Sequence, residues 1–194
     1  MFLAGIKRAS CGFLLFTGLN AFSEVVLTEK FEHYSIAPTT RQQIKIELRA
    51  NSPVVKENQL FHGRTQWQLT PVFGLQTSGN LCRLVGIKVY LEGLYTMPEM
   101  SNRETAEENL KQTFDDYYAA LLDHEKGHQA IWIEAGESIE RKLKSMPPHF
   151  QCSQLKSQAS KQVAKLVKFF QLQNKQYDQN TGHGKTQGVF ISGN

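Results

Sequence analysis

Residues 121–130 read LLDHEKGHQA, and this stretch fixes the phase of a long predicted helix. His124 and His128 are four residues apart, so a helix places them one turn apart on the same face. Apolar side chains recur at three- or four-residue intervals on both sides of them, which predicts a single inward stripe that includes both histidines. The other members of this stripe are Leu110, Phe114, Tyr117, Leu121, Ile131, Ala135 and Ile139.

The ends of the helix carry recognisable signals. Ser101 and Glu104 have the spacing of a capping box, and Pro147 begins a proline pair that stops the pattern, so the sequence predicts a helix over 101–146. A second stripe of apolar residues predicts another helix over 153–177, with solvated faces of lysine, glutamine and serine.

The segments before these helices read as strands with one short helix. Strands are predicted at 24–37, 61–73 and 82–97, and a helix capped by Thr39 or Thr40 at 39–50. In the third strand Val85, Ile87, Val89 and Leu91 alternate with polar neighbours, and Pro98 ends the run. We therefore predict an α+β fold in which a small antiparallel sheet packs on the long helix and on the second, C-terminal helix.

The first 23 residues have the layout of a secretory signal. Lys7 and Arg8 precede an uncharged run that ends in small residues, and cleavage is expected after Ser23. This predicts a signal peptide at 1–23, a single domain at 24–194, and a periplasmic or secreted protein with no stable membrane span after cleavage. The alternative is an uncleaved N-terminal anchor.

Charge and cysteine content bound the remaining possibilities. Cleavage would remove two of the 22 basic side chains and none of the 18 acidic ones, so the net charge falls from +4 to +2 and nothing indicates a nucleic-acid partner. The domain keeps Cys82 and Cys152, and export favours a disulfide between them. The alternative is two buried free thiols.

The pattern His-Glu-x-x-His on a helix is suited to zinc hydrolysis. Imidazoles at i and i+4 can ligate one Zn²⁺, and the intervening Glu125 can act as general base without ligating the metal. Two unpartnered histidines in an apolar stripe would cost desolvation, which a metal would offset. The alternative is a pair of hydrogen-bonded core histidines.

A catalytic zinc site needs a third protein ligand. Glu134, Glu137 and Glu140 are near in sequence, but Glu134 is about 9 Å further along a straight helix than His128 and points elsewhere, so a solvated face is favoured for these glutamates. His183 lies between Gly182 and Gly184, and glycines permit close approach of the backbone to a site. It is therefore a candidate, with a flexible surface histidine as the alternative. His62 and His33 are weaker candidates, and His149 is predicted to be a loop residue.

Four stretches in this order resemble a bacterial family catalogued as domain of unknown function 922, whose members are described as predicted secreted zinc-dependent proteases. The stretches are FHGRTQW (61–67), CRLVGIKVYLEGLYTMP (82–98), LLDHEKGH (121–128) and YDQNTGHGKTQG (177–188). The resemblance covers roughly residues 30–190. It implies export and a zincin-like site at His124, Glu125 and His128. It also makes His183 the favoured third ligand and supports the cysteine pairing.

We therefore predict an exported zinc metallohydrolase, a peptidase acting on peptide or protein substrates of the cell envelope or outside the cell. His124, His128 and His183 would hold the metal and Glu125 would be the general base. Tyr177 could stabilise an oxyanion and Asp178 could orient a ligand histidine. The edge of the strand at 82–97 is expected to pair with an extended peptide. The alternatives are a non-catalytic envelope protein that binds zinc structurally and a zinc amidase acting on a cell-wall bond.

Overall fold

The computed structural model describes residues 25–56 and 58–191. The predicted signal segment at 1–23 lies outside these residues. No helix in the described ranges combines the length and apolar content needed to cross a bilayer. In chain order the elements are β1 (Val25–Ile36), α1 (Arg41–Asn51), β2 (Val54–Lys56), β3 (Gln59–Phe61), β4 (Arg64–Ser78), β5 (Leu81–Met100), α2 (Glu108–Lys144), α3 (Cys152–Thr181) and a 3₁₀ turn (Lys185–Gln187).

The main sheet is mixed, with strand order β1-β5-β4. The predicted α+β class is confirmed, but the predicted purely antiparallel sheet is wrong. β4 runs antiparallel to β5, whereas β1 runs parallel to it, from Val25 opposite Val89 to Ile36 opposite Met100. Apolar alternation indicates which face of a strand is buried but not the direction of its neighbour. β2 and β3 form a separate antiparallel pair.

β5 has β1 on one side and β4 on the other from Val89 to Thr96, so over that stretch it has no free edge for the predicted pairing with a peptide. The edges of the sheet are β1 and β4. Pro98 does not end β5, which continues to Met100. The β4 ladder begins at Thr96, so Pro98 lies where β5 has a partner on one side only, and a missing N–H is tolerated there.

The predicted alternation of β5 holds from Ile87 onward but not before it. Val85 is exposed, and the adjacent Gly86 has a φ of 58°. The β4 ladder also shifts register between Val72 and Gly74. The irregularity reverses the face to which the preceding side chains point, which alternation alone does not reveal.

α2 begins later than its capping-box signal predicts. The Ser101 hydroxyl donates to the carbonyl of Ile36, and the Asn102 carbonyl accepts from two amides of a turn. The helix therefore starts at Glu108, with Glu107 as its N-cap residue. Ser101 is drawn away from a capping role by its contact with the end of β1.

α2 packs on the sheet, and α3 packs on α2. Ile139 and Leu143 of α2 meet Val89 of β5 and Ala159 of α3 in a buried cluster. Cys82 and Cys152 form a disulfide, which confirms their predicted pairing and ties the start of β5 to the start of α3. α1 begins after the Thr40 cap, as predicted. These contacts hold α2 and α3 side by side along the length that carries the candidate site.

Candidate metal centre

His124 and His128 lie one turn apart on α2, as the sequence predicts. Their rings are 5.0 Å apart and meet edge to face. His124 is 4 % exposed and Glu125, beside it, is equally buried. α2 therefore contributes two imidazoles and one carboxylate residue to the lining of one cleft.

Asp178 of α3 joins the two histidines. Its Oδ1 is 3.4 Å from His124 Nε2 and 3.0 Å from His128 Nε2. Ligand atoms of these three side chains all lie within 4.8 Å of one another, the one such group found in the described ranges. The sequence suggested Asp178 as a residue that orients a ligand, whereas the structure places its carboxylate among the potential ligands.

His183 follows α3 in a left-handed turn. Its φ is 55°, between Gly182 at 56° and Gly184 at 80°. The turn folds the chain back so closely that a Cβ on Gly184 would lie 3.0 Å from the ring of His124. His183 Nδ1 is 3.6 Å from Asp178 Oδ1, but its side chain is 45 % exposed and lies outside the group of three. The predicted role of His183 as third ligand remains a prediction.

The second ring nitrogen of each of these histidines is held by an amide. His124 Nδ1 is 2.9 Å from Gln187 Oε1, and His128 Nδ1 is 2.8 Å from Asn174 Oδ1. Asn174 Nδ2 donates to the Phe170 carbonyl, which fixes its oxygen toward His128. Sequence reasoning missed Asn174 and Gln187. Asn174 could have been found, because it continues the inward stripe of α3 four residues after Phe170 as a polar side chain.

These contacts determine the ring tautomers. An amide oxygen only accepts, so Nδ1 of both histidines must donate. In the neutral rings each Nε2 then presents a lone pair toward Asp178, whose oxygens also accept. Two acceptor nitrogens at 3.4 and 3.0 Å from an acceptor oxygen are repelled by it unless protons or a cation lie between them.

The charges of the cluster shift its pKa values in opposite directions. Burial would raise the pKa of Asp178, but hydrogen bonds from His124 and His128 and the charges of His128 and His183 hold it well below its usual range. Burial would lower the pKa of His124, but contacts with Asp178 and Gln187 and the charge of Glu125 raise it overall. The cluster therefore favours a positive charge between the imidazoles and the carboxylate.

Tyr177 of α3 packs against the His-Glu-x-x-His motif of α2. Its ring stacks on His124 at 5.2 Å, and its hydroxyl donates to the His124 carbonyl at 3.2 Å. Gln187 Nε2 in turn donates to this hydroxyl. A Cβ on Gly127 would lie 2.0 Å from the hydroxyl oxygen, so the glycine of the motif provides the space that Tyr177 occupies. Its predicted oxyanion role remains a prediction.

The other residues considered from sequence lie elsewhere. Glu134 is exposed, and His33 is exposed on β1. Glu140 is buried and bonds Lys144, so the solvated face predicted for it is wrong. His149 lies in the segment between the helices and pairs with Cys82 through the backbone.

A cleft of about 1210 Å³ opens over the cluster. One side is formed by α1, β2, β3 and the start of β4, and the other by α3 and the tail that follows it. Glu125 lines this cleft together with His124, His128, Asp178 and His183. The cluster is thus accessible to a molecule larger than water.

The model of a family described as bacterial protein of unknown function (DUF922) matches residues 31–184. The chain belongs to this family. The matched residues run from within β1 to Gly184 and therefore include every residue of the cluster. No curated protein and no solved structure matches the chain.

Proposed function

We propose that this DUF922 protein is an exported zinc-dependent hydrolase with a zincin-like fold and that its substrates are peptides. The observation that carries the proposal is the convergence of two imidazole lone pairs and one carboxylate oxygen, beside a buried glutamate in an open cleft. Export rests on the sequence of residues 1–23 and on the disulfide.

The donor set fits zinc. Nitrogen and carboxylate oxygen are ordinary zinc ligands, and a tetrahedral site with bonds of about 2.1 Å has ligand atoms roughly 3.4 Å apart. The two distances from Asp178 Oδ1, 3.4 and 3.0 Å, are close to this separation. Gln187 and Asn174 accept from the outer ring nitrogens, which is how ligand histidines are oriented.

We assign His124, His128 and Asp178 as ligands, with His183 as the rival for the third position. When bound, zinc would polarise a water molecule and the carbonyl of the substrate. Glu125 follows His124 directly and lines the cleft, and it would accept a proton from the attacking water. It would then deliver that proton to the leaving nitrogen as the bond breaks.

The edge of the sheet supports a peptide substrate. β4 is an edge strand, and its first residues, Arg64 and Thr65, line the cleft. The Thr65 hydroxyl lies 3.5 Å from the backbone carbonyl of Glu125, so the start of this edge adjoins the motif. An extended peptide that pairs with the edge would pass directly over Glu125.

The test combines an assay of zinc content with an assay of hydrolysis in which a denatured protein is supplied as the substrate. We expect about one zinc per chain in the native protein and in Glu125→Gln. Hydrolysis should be lost in Glu125→Gln and kept in Glu134→Gln, a matched change at an exposed position on the same helix. Equal hydrolysis by the native protein and Glu125→Gln would refute the general-base role, and absence of zinc would refute the site.

Two alanine variants separate the ligand sets. If Asp178→Ala loses zinc and His183→Ala retains it, the site has three protein ligands and an open position. Zinc loss only in His183→Ala would assign the third position to His183. Loss in both would indicate a closed four-ligand site, which is the mark of a non-catalytic zinc protein. The non-catalytic zinc protein is the second candidate function because Asp178 and His183 lie 3.6 Å apart and could both bind the metal.

A further inference from the structure

The side of the cleft formed by α1, β2, β3 and the start of β4 is basic. Arg49, Lys56, His62 and Arg64 line it, and we call these four residues the basic wall. The carboxylates that line the cleft are Glu125 and Asp178, both at the metal cluster. No ion pair joins Arg49, Lys56 or Arg64 to a carboxylate within residues 25–56 and 58–191. The wall therefore has cationic groups available to a ligand.

His62 is held rigidly within this wall. The Tyr34 hydroxyl donates to the His62 carbonyl at 2.7 Å, and the Tyr117 hydroxyl lies 2.7 Å from His62 Nδ1. Tyr117 is 3 % exposed, and His62 is the hydrogen-bond partner of its hydroxyl in the described structure. The phenolic hydrogen must therefore point to Nδ1, because a buried hydroxyl without an acceptor is costly.

This contact leaves the hydrogen of the neutral His62 ring on Nε2. Burial, followed by the charge of Arg49, lowers the pKa of His62, which favours the neutral ring. Nε2 has no hydrogen-bond partner in the described ranges, although His62 lines the cleft. The wall thus offers one neutral N–H donor that lines the same cleft as the Arg49 guanidinium.

Residue spacing along α2 gives the scale of the separation between the wall and the metal cluster. Tyr117, which touches His62, precedes His124 by seven residues of α2, or about 10 Å along the helix. An extended peptide advances about 3.3 Å per residue. A side chain roughly three residues from the bond that is cleaved would therefore reach the wall.

We propose that the basic wall is a subsite for a carboxylate side chain of an extended peptide, with Arg49 supplying the charge and His62 Nε2–H the directional hydrogen bond. A carboxylate suits this pair because it accepts from a guanidinium and from a neighbouring N–H at once. This inference rests on the proposed function for the identity of the ligand as a peptide, but not on its cleavage.

The test measures binding without turnover. Two pools of short fluorescent peptides, identical except that every Glu in one pool is Gln in the other, are titrated into Glu125→Gln with and without added zinc. We expect the Glu pool to bind about tenfold more tightly, the factor that one charge-assisted hydrogen bond provides. Arg49→Glu should abolish this preference. Arg83→Glu, which makes the same change at an exposed site on β5, should preserve it.

The outcomes separate this subsite from the proposed activity. Equal binding of the two pools, no binding of either, or equal losses in Arg49→Glu and Arg83→Glu would each overturn the subsite. A preference for Glu in a protein whose native form cleaves nothing would keep the subsite and refute the peptidase. Cleavage without any preference for Glu would refute the subsite and keep the peptidase.

Discussion

Replacing Gly127 with alanine tests how the motif is held in place. Alanine is the better helix former by about 1 kcal/mol, so an isolated helix would gain from the change. Here the new Cβ would lie 2.0 Å from the Tyr177 hydroxyl oxygen and 2.3 Å from the ring carbon that bears it. The Tyr177 ring must move, although it stacks on His124 and meets His128 edge to face.

The expected cost follows from these contacts. Overpacking of this kind costs roughly 1–3 kcal/mol. Displacing the ring also removes the hydrogen bonds of its hydroxyl to the His124 carbonyl and to Gln187, at about 1 kcal/mol each. After the gain in helix propensity, we expect the free energy of unfolding to fall by roughly 2–4 kcal/mol in total. Because Gln187 also orients His124, zinc affinity should fall by about tenfold or more.

Urea unfolding and zinc titration measure the two effects, and Gly136→Ala is the matched control on the same helix. A Cβ on Gly136 would meet Leu91 at 3.2 Å and Val25 at 3.3 Å, contacts that a small shift relieves. We expect that variant to stay within about 1 kcal/mol of the native protein and to bind zinc normally. If Gly127→Ala is as stable as Gly136→Ala, the packing of Tyr177 does not determine the position of the motif.

Two further predictions concern the fold. Replacing Cys82 and Cys152 with serine removes a cross-link between residues 70 apart. By the chain-entropy estimate, the free energy of unfolding measured in urea should fall by about 4.4 kcal/mol. An unchanged midpoint would mean that the disulfide does not constrain the unfolded chain. Burial raises the pKa values of three core tyrosines. The stability that these neutral side chains contribute is therefore complete below about pH 10 and is lost as the pH rises further. The loss is about 1.4 kcal/mol per pH unit for each tyrosine. Tyrosinate absorbance should therefore appear together with alkaline unfolding; full titration in the folded protein would contradict this. The three are Tyr34, Tyr95 and Tyr117.

Local patterns carried much of this structure. The periodicity around LLDHEKGHQA placed both histidines on the inward face of one helix, and the structure has His124 buried there. The existence of β1, β4, β5, α1, α2 and α3 was also predicted from periodicity and turn residues. With the signal segment set aside, the domain has two cysteines and therefore one possible pairing. Each of these conclusions depends on residues close in sequence or on a count.

Tertiary contacts decided the rest. β5 became the central strand because β1 adds parallel to it, a pairing between residues about 64 apart. Ser101 left its expected capping position because the carbonyl of Ile36 is near it in space. Asp178 and His128 are 50 residues apart, and their meeting depends on how α3 packs on α2.

The sequence by itself determined a helix that presents two histidines and a glutamate, the α+β class and the disulfide. Only the tertiary structure decided which groups contact the two histidines of that helix, namely Asp178 at their Nε2 atoms and Asn174 and Gln187 at their Nδ1 atoms. The physical reason is that helix phase is a local property, repeated every 3.6 residues. The residue that joins the two histidines from another helix is determined by packing between distant segments, which local periodicity does not reveal.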